Sequence, residues 1–75
     1  MRSQSLQQVV GAHVRRIRRE RGLSQEELAH EIGLHRTFVG AVERGERNLT
    51  LQTVERIAAG LGVAATDLVL EPRDR

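Results

Sequence analysis

The 75-residue sequence contains no cysteine, no lysine and no tyrosine. Without cysteine there is no disulfide to stabilise a small core, no thiolate metal site and no thiol nucleophile. Apolar runs last only a few residues, so no segment is long enough to span a membrane. The opening stretch MRSQSLQQVV lacks the apolar core of a secretory signal, and a cytoplasmic protein is expected. Alternation of period two does not persist anywhere, and no internal repeat or linker is visible. The three histidines, His13, His30 and His35, do not fall at the four-residue spacing of a helical zinc pair. A glycine-rich phosphate loop is also missing. An enzyme, a metal centre, a bound cofactor and a small-molecule ligand are therefore not expected.

Charge is present but nearly balanced, at net +2, while the isoelectric point is close to 11.0. The two agree because no side chain titrates between histidine and arginine. The high isoelectric point thus reflects absent buffering groups more than a strong positive field. Whether the chain binds a polyanion depends on where its 12 Lys+Arg residues, all arginine, are placed. Arginine alone suits bidentate contacts to guanine or phosphate, and a GC-rich coding bias would produce the same usage.

The most informative stretch runs from Leu23 to Gly45, LSQEELAHEIGLHRTFVGAVERG. Ser24 and Glu27 have the spacing of a capping box, and Leu23 with Leu28 that of a hydrophobic staple. Both signals start a helix at Ser24. Leu28, Ala29 and Ile32 give it an apolar stripe, and Gly33 supplies a left-handed terminator. A second helix is expected over residues 36–44, with Val39 and Val42 inward and Gly45 as its stop. Two short helices joined by a tight glycine-containing turn form a helix-turn-helix unit. The start of the second helix offers His35, Arg36, Thr37 and Phe38 outward, at the end that meets base edges in such units.

The remaining chain reads as scaffold. Leu6, Val10, Val14 and Ile17 predict a first helix over residues 6–21, ended by Gly22, behind a polar, frayed start at Met1–Ser5. Its arginines, Arg15, Arg16, Arg18, Arg19 and Arg21, read as a solvated face or as a source of one phosphate contact. Thr50 caps a fourth helix over residues 51–60, with Leu51, Val54, Ile57, Ala58 and Leu61 inward and Gly60 and Gly62 as its end. Residues 64–70 form one more short helix with Leu68 turned inward and Pro72 as a stop, before a charged tail. The expectation is an all-α, five-helix domain spanning residues 1–75.

The order SQEELA, Gly33, RTFVGAVERG, RNLT and IAAGLGV resembles the lambda-repressor-like helix-turn-helix domain of Cro and XRE-type regulators, over residues 9–70. Arg36-Thr37-Phe38, Glu43-Arg44 and Arg47-Asn48-Leu49-Thr50 further resemble segments of restriction-modification controller proteins. Where tyrosine is common in those controllers, this chain has Phe38, which has no hydroxyl to donate to phosphate. The resemblance implies base contacts from His35, Arg36, Thr37 and Ala41. It implies backbone contacts from Gln25, Phe38, Arg44, Arg47, Asn48 and Thr50. It also implies an ion pair between Arg18 and Glu43. Ala41 replaces a polar residue often found there and offers only a methyl group. Thr37 has a competing role at the helix start, and Phe38 a competing role in the core.

The expected function is sequence-specific binding of double-stranded DNA by a transcriptional regulator. One recognition helix reads few base pairs, so a homodimer on a roughly palindromic operator is expected. Val63, Leu68, Val69 and Leu70 are the candidate dimer surface, with packing inside the monomer as the alternative for Leu68 and Leu70. The rival class is an antitoxin or other protein-interaction subunit. The arginine-rich RTFVG-ERGERN surface argues against a purely protein-binding role.

Overall fold

Capping chemistry sets the helix boundaries in the computed structural model, which describes residues 5–70. Helix α1 spans Leu6–Glu20. Ser5, expected in a frayed start, is instead its N-cap: its hydroxyl accepts from the Gln8 amide at 3.2 Å, and Gln8 Oε1 accepts from the Ser5 amide at 3.0 Å. Helix α2, Gln25–Ile32, starts with the Ser24–Glu27 box, whose reciprocal bonds measure 2.9 and 2.8 Å. It ends at Gly33, where φ is 72° and a β-carbon would strain the backbone. Leu34 then donates its amide to the Ala29 carbonyl and closes the turn.

Helix α3 covers Arg36–Glu43, helix α4 Leu51–Leu61 and helix α5 Thr66–Val69. Thr50 caps α4 by accepting from the Thr53 amide at 3.0 Å. Gly60, expected to help end α4, lies inside the helix, and Gly62 is the terminator. A β-carbon on Gly60 would collide with the Ile32 side chain, so this glycine serves the close approach of α4 to α2. Helix α5 is shorter than residues 64–70 because Ala65 is its N-cap and Leu70 is already extended. His13 Nε2, assigned as the donor, bonds the Leu70 carbonyl at 2.7 Å and ties that end to α1. Expectations for residues 1–4, for Pro72 and for the tail lie outside the described residues.

All five helices contribute to one aliphatic core: Val10, Val14 and Ile17 from α1, Leu28 and Ile32 from α2, Val39 and Val42 from α3, Ile57 and Leu61 from α4, and Leu68 from α5. Among the described residues there is no strand. Helix α3 is wedged against both α1 and α2. The α1 contact is close because Gly11 lies over the Val42 and Glu43 carbonyls, where a β-carbon would clash with backbone. Leu51 departs from expectation. It is 82% exposed, because the first turn of α4 places it on the outer side. Among the described residues, no helix is long and apolar enough to cross a membrane.

Candidate nucleic-acid interface

The outer side of the α2–α3 unit carries most of the residues singled out above. His35 is the N-cap of α3 but makes no side-chain capping bond, so the first-turn amides have no side chain folded over them. His35, Arg36 and Thr37 are all exposed. Among the described residues Arg36 forms no ion pair, leaving its donor fork free. Ala41 is half-buried, and Gly40 next to it is buried. A β-carbon on Gly40 would stand 3.2 Å from Arg44 Nη1 and 3.5 Å from Gln25 Oε1. That glycine lets Gln25 from α2 and Arg44 from beyond α3 close over the recognition helix.

Beneath this surface Arg18 and Glu43 form a bidentate pair, Nε–Oε2 at 2.6 Å and Nη2–Oε1 at 3.1 Å. Their side chains are 10% and 3% exposed, so the pair is nearly dry. Arg18 Nη1 also donates to the Leu23 carbonyl at 2.7 Å. The hydrogen bond to Glu43 raises the Arg18 pKa above its ordinary value, against the desolvation that opposes it, and coulombic attraction adds to the rise. Gln25 Nε2 donates to Glu43 Oε1 at 3.0 Å. One carboxylate therefore joins α1, the start of α2 and the end of α3. Among the described residues no buried side-chain nitrogen or oxygen lacks a partner.

The segment between α3 and α4 supplies the second half of the surface. Arg44 pairs with Glu46 at 3.1 Å, with both side chains more than half exposed. Arg47 places its guanidinium carbon 4.9 Å from the centroid of the Phe38 ring. Asn48 Oδ1 accepts from Gln7 Nε2 at 2.8 Å, so its Nδ2 donors are not used in that bond, and the residue is exposed. The Thr50 hydroxyl is engaged on both sides, accepting from the Thr53 amide and donating to Thr53 Oγ1 at 2.9 Å. A backbone contact from Thr50 therefore falls to its main-chain amide, not its hydroxyl. Phe38 is half-buried, with its ring packed against the core.

Three glycine and glutamine contributions escaped the sequence reading. Gln7 and Gln8 brace the α3–α4 segment, Gln8 by lying under Gly45, and Gly11 admits α3 to α1. A glycine inside a helical run was the available signal for Gly11. Nothing local marks Gln7, whose partner is 41 positions away. The candidate dimer residues differ in exposure. Leu68 is fully buried within the monomer and cannot present itself to a second copy, whereas Leu70 is 63% exposed. Val63 and Val69 are half-buried.

These features define a helix-turn-helix domain with an exposed recognition helix, and the helix-turn-helix family HTH_3 matches residues 14–68. The chain belongs to this family of Cro/XRE-type transcriptional regulators. It is similar to a hypothetical transcription factor of Neisseria meningitidis serogroup B, 49% identical over 72 residues, covering 96% of this chain and 68% of the relative. The crystal structure of the Neisseria hypothetical transcription factor NHTF superposes with a TM-score of 0.87 at 48% identity, covering 91% of this chain and 78% of that one. The control protein C.BamHI of Bacillus amyloliquefaciens is 47% identical over 60 residues, covering 79% of this chain and 74% of the relative. The restriction-modification controller C.Esp1396I, crystallised as a tetramer on its natural 35 base-pair operator, is 39% identical with a TM-score of 0.76, covering 83% of this chain and 82% of that one.

Proposed function

We propose that this chain is a sequence-specific regulator of transcription, of the restriction-modification controller kind, that binds operator DNA as a homodimer. The observation that carries the reading is the exposed Arg36 at the start of α3, without an ion-pair partner among the described residues, followed by a loop that presents Arg47 and Asn48. Arg36 and Thr37 read base edges, with His35 and the Ala41 methyl beside them. Arg47, Asn48, the Thr50 amide and the free N–H of Gln25 hold the phosphates on either side, and Arg44 joins them when its exposed pair with Glu46 opens. The related controller C.Esp1396I, crystallised on its operator, supports operator DNA as the partner. The protein acts by occupancy and not by catalysis, in the cytoplasm where its DNA lies.

Dimerisation supplies the second half-site, about 34 Å away along the duplex. The surface best suited to it is broader than the C-terminal helix. Leu6, Leu51 and Leu70 are 60%, 82% and 63% exposed. Leu6, Leu49, Leu51, Val54 and Val69 line one apolar groove. Leu6 and Leu51 share that groove, and large exposed apolar side chains gathered in one place on a domain this small are of the kind that associates. Selection of duplexes from a randomised pool, followed by titration at two salt concentrations, tests the reading. A roughly palindromic consensus and a steep salt dependence are expected. Recovery of no consensus would overturn sequence-specific regulation.

A further inference from the structure

We propose that Phe38 serves DNA binding through Arg47, as the platform that holds the Arg47 guanidinium in place beside the first turn of α3. The proposal rests on the DNA-binding reading above, and changes the expected role of Phe38 from a backbone contact to a positioning residue. The Arg47 guanidinium lies over the ring, 4.9 Å from its centroid. The ring itself is half-buried and packed against the core, so it is a fixed surface.

The chemistry of the stack suits an arginine reserved for an anion. A guanidinium beside a carboxylate has part of its charge offset and a donor engaged, as for Arg44 Nε beside Glu46 Oε2 at 3.1 Å. One held on an aromatic face keeps its charge and its in-plane N–H donors. The two neighbouring arginines of one segment are thus in different states, and Arg47 is the one ready for a phosphate. Its backbone is steadied as well, by Gln7 donating to Asn48 at 2.8 Å and by Gln8 beneath Gly45. A long side chain ordered before binding does not lose that freedom on contact. The absence of a hydroxyl on Phe38 costs this role nothing, because the ring face does the holding.

The test is a double-mutant cycle with Phe38→Leu and Arg47→Ala, titrated on the best duplex that the wild type selects from a randomised pool. Circular dichroism checks each fold, and Phe38→Met replaces the leucine variant if that variant is unfolded. Phe38→Leu should weaken binding about two- to fivefold while Arg47 is present, and should change nothing on the Arg47→Ala background. Arg47→Ala should lower the salt slope by about one, whereas Phe38→Leu leaves the slope unchanged. Phe38→Tyr, which keeps the ring, should bind like the wild type. Equal weakening with and without Arg47, or no weakening at all, would overturn the proposal. In the free protein, proton NMR should show ring-current-shifted Arg47 side-chain resonances in the wild type and Phe38→Tyr but not in Phe38→Leu. That readout needs no DNA. A missing shift refutes the stack itself, whereas a normal shift with no duplex binding refutes the DNA reading and this role with it.

Discussion

Replacing Arg18 by methionine should be among the most damaging single changes in this protein. Methionine keeps much of the aliphatic stem but removes three interactions: two bonds to Glu43, at 2.6 and 3.1 Å, and one to the Leu23 carbonyl at 2.7 Å. Glu43 would keep only the Gln25 amide as a partner while its side chain stays 3% exposed. Breaking a buried pair by removing one partner costs about 3–5 kcal/mol, because the remaining charge is uncompensated. A domain of this length has roughly 4–11 kcal/mol of total stability, so the variant would lie close to unfolding at ambient temperature. Urea denaturation measures the loss directly, and the thermal midpoint should fall by at least about 12 °C. Adding Glu43→Leu removes the stranded carboxylate and should restore much of the loss, although the Leu23 carbonyl stays short of a donor. A single variant that costs less than about 1 kcal/mol, or single effects that simply add in the double variant, would refute the argument. The pH dependence has a definite sign. Arg18 is raised above its ordinary value by Glu43, so its contribution is fully present below the unfolded-state pKa and fades only as pH climbs through the folded one. Stability attributable to Arg18 should therefore be flat from neutral pH to about pH 10.

Three further expectations address the interface and its support. Arg36→Ala should cost roughly 1–3 kcal/mol at one base pair and flatten the preference there; an unchanged selected consensus would reassign that residue. Gly11→Ala should destabilise by about 1–3 kcal/mol in urea despite alanine's better helix propensity, because the new methyl meets the Val42 and Glu43 carbonyls. Leu51→Glu should leave the helical content of the monomer unchanged by circular dichroism, since the residue is 82% exposed. It should shift sedimentation from dimer toward monomer, and an unaltered dimer would move the interface elsewhere.

Local chemistry explains why so much of this protein is legible without coordinates. The Ser24–Glu27 box and the Gly33 and Gly62 terminators act over three or four residues, so adjacent letters suffice to place helix ends. The same holds for the exposed start of α3, because Val39 and Val42 fix which side faces inward. The pairing of Arg18 with Glu43 was legible only as a resemblance, since the partners are 25 positions apart. Leu51 shows where pattern alone fails. It follows the same helical spacing as Val54 and Ile57, but they are buried while it stands exposed on the outer side of α4.

For this chain, then, the order of residues alone places five helices, the caps at Ser24 and Thr50 and the helix-turn-helix at Leu23–Gly45. The tertiary structure decided what each arginine is free to do. Arg18 is buried on Glu43, Arg21 bonds the Leu61 carbonyl at 2.7 Å, Arg16 pairs with Glu20 and Arg44 with Glu46. Arg47 rests on Phe38, and among the described residues Arg36 has no ion-pair partner at the recognition helix. Composition counts these side chains as equal charges. Only packing distinguishes a cation already engaged within the fold from one left for DNA, because the partners of Arg18 and Arg21 arrive from 25 and 40 positions away.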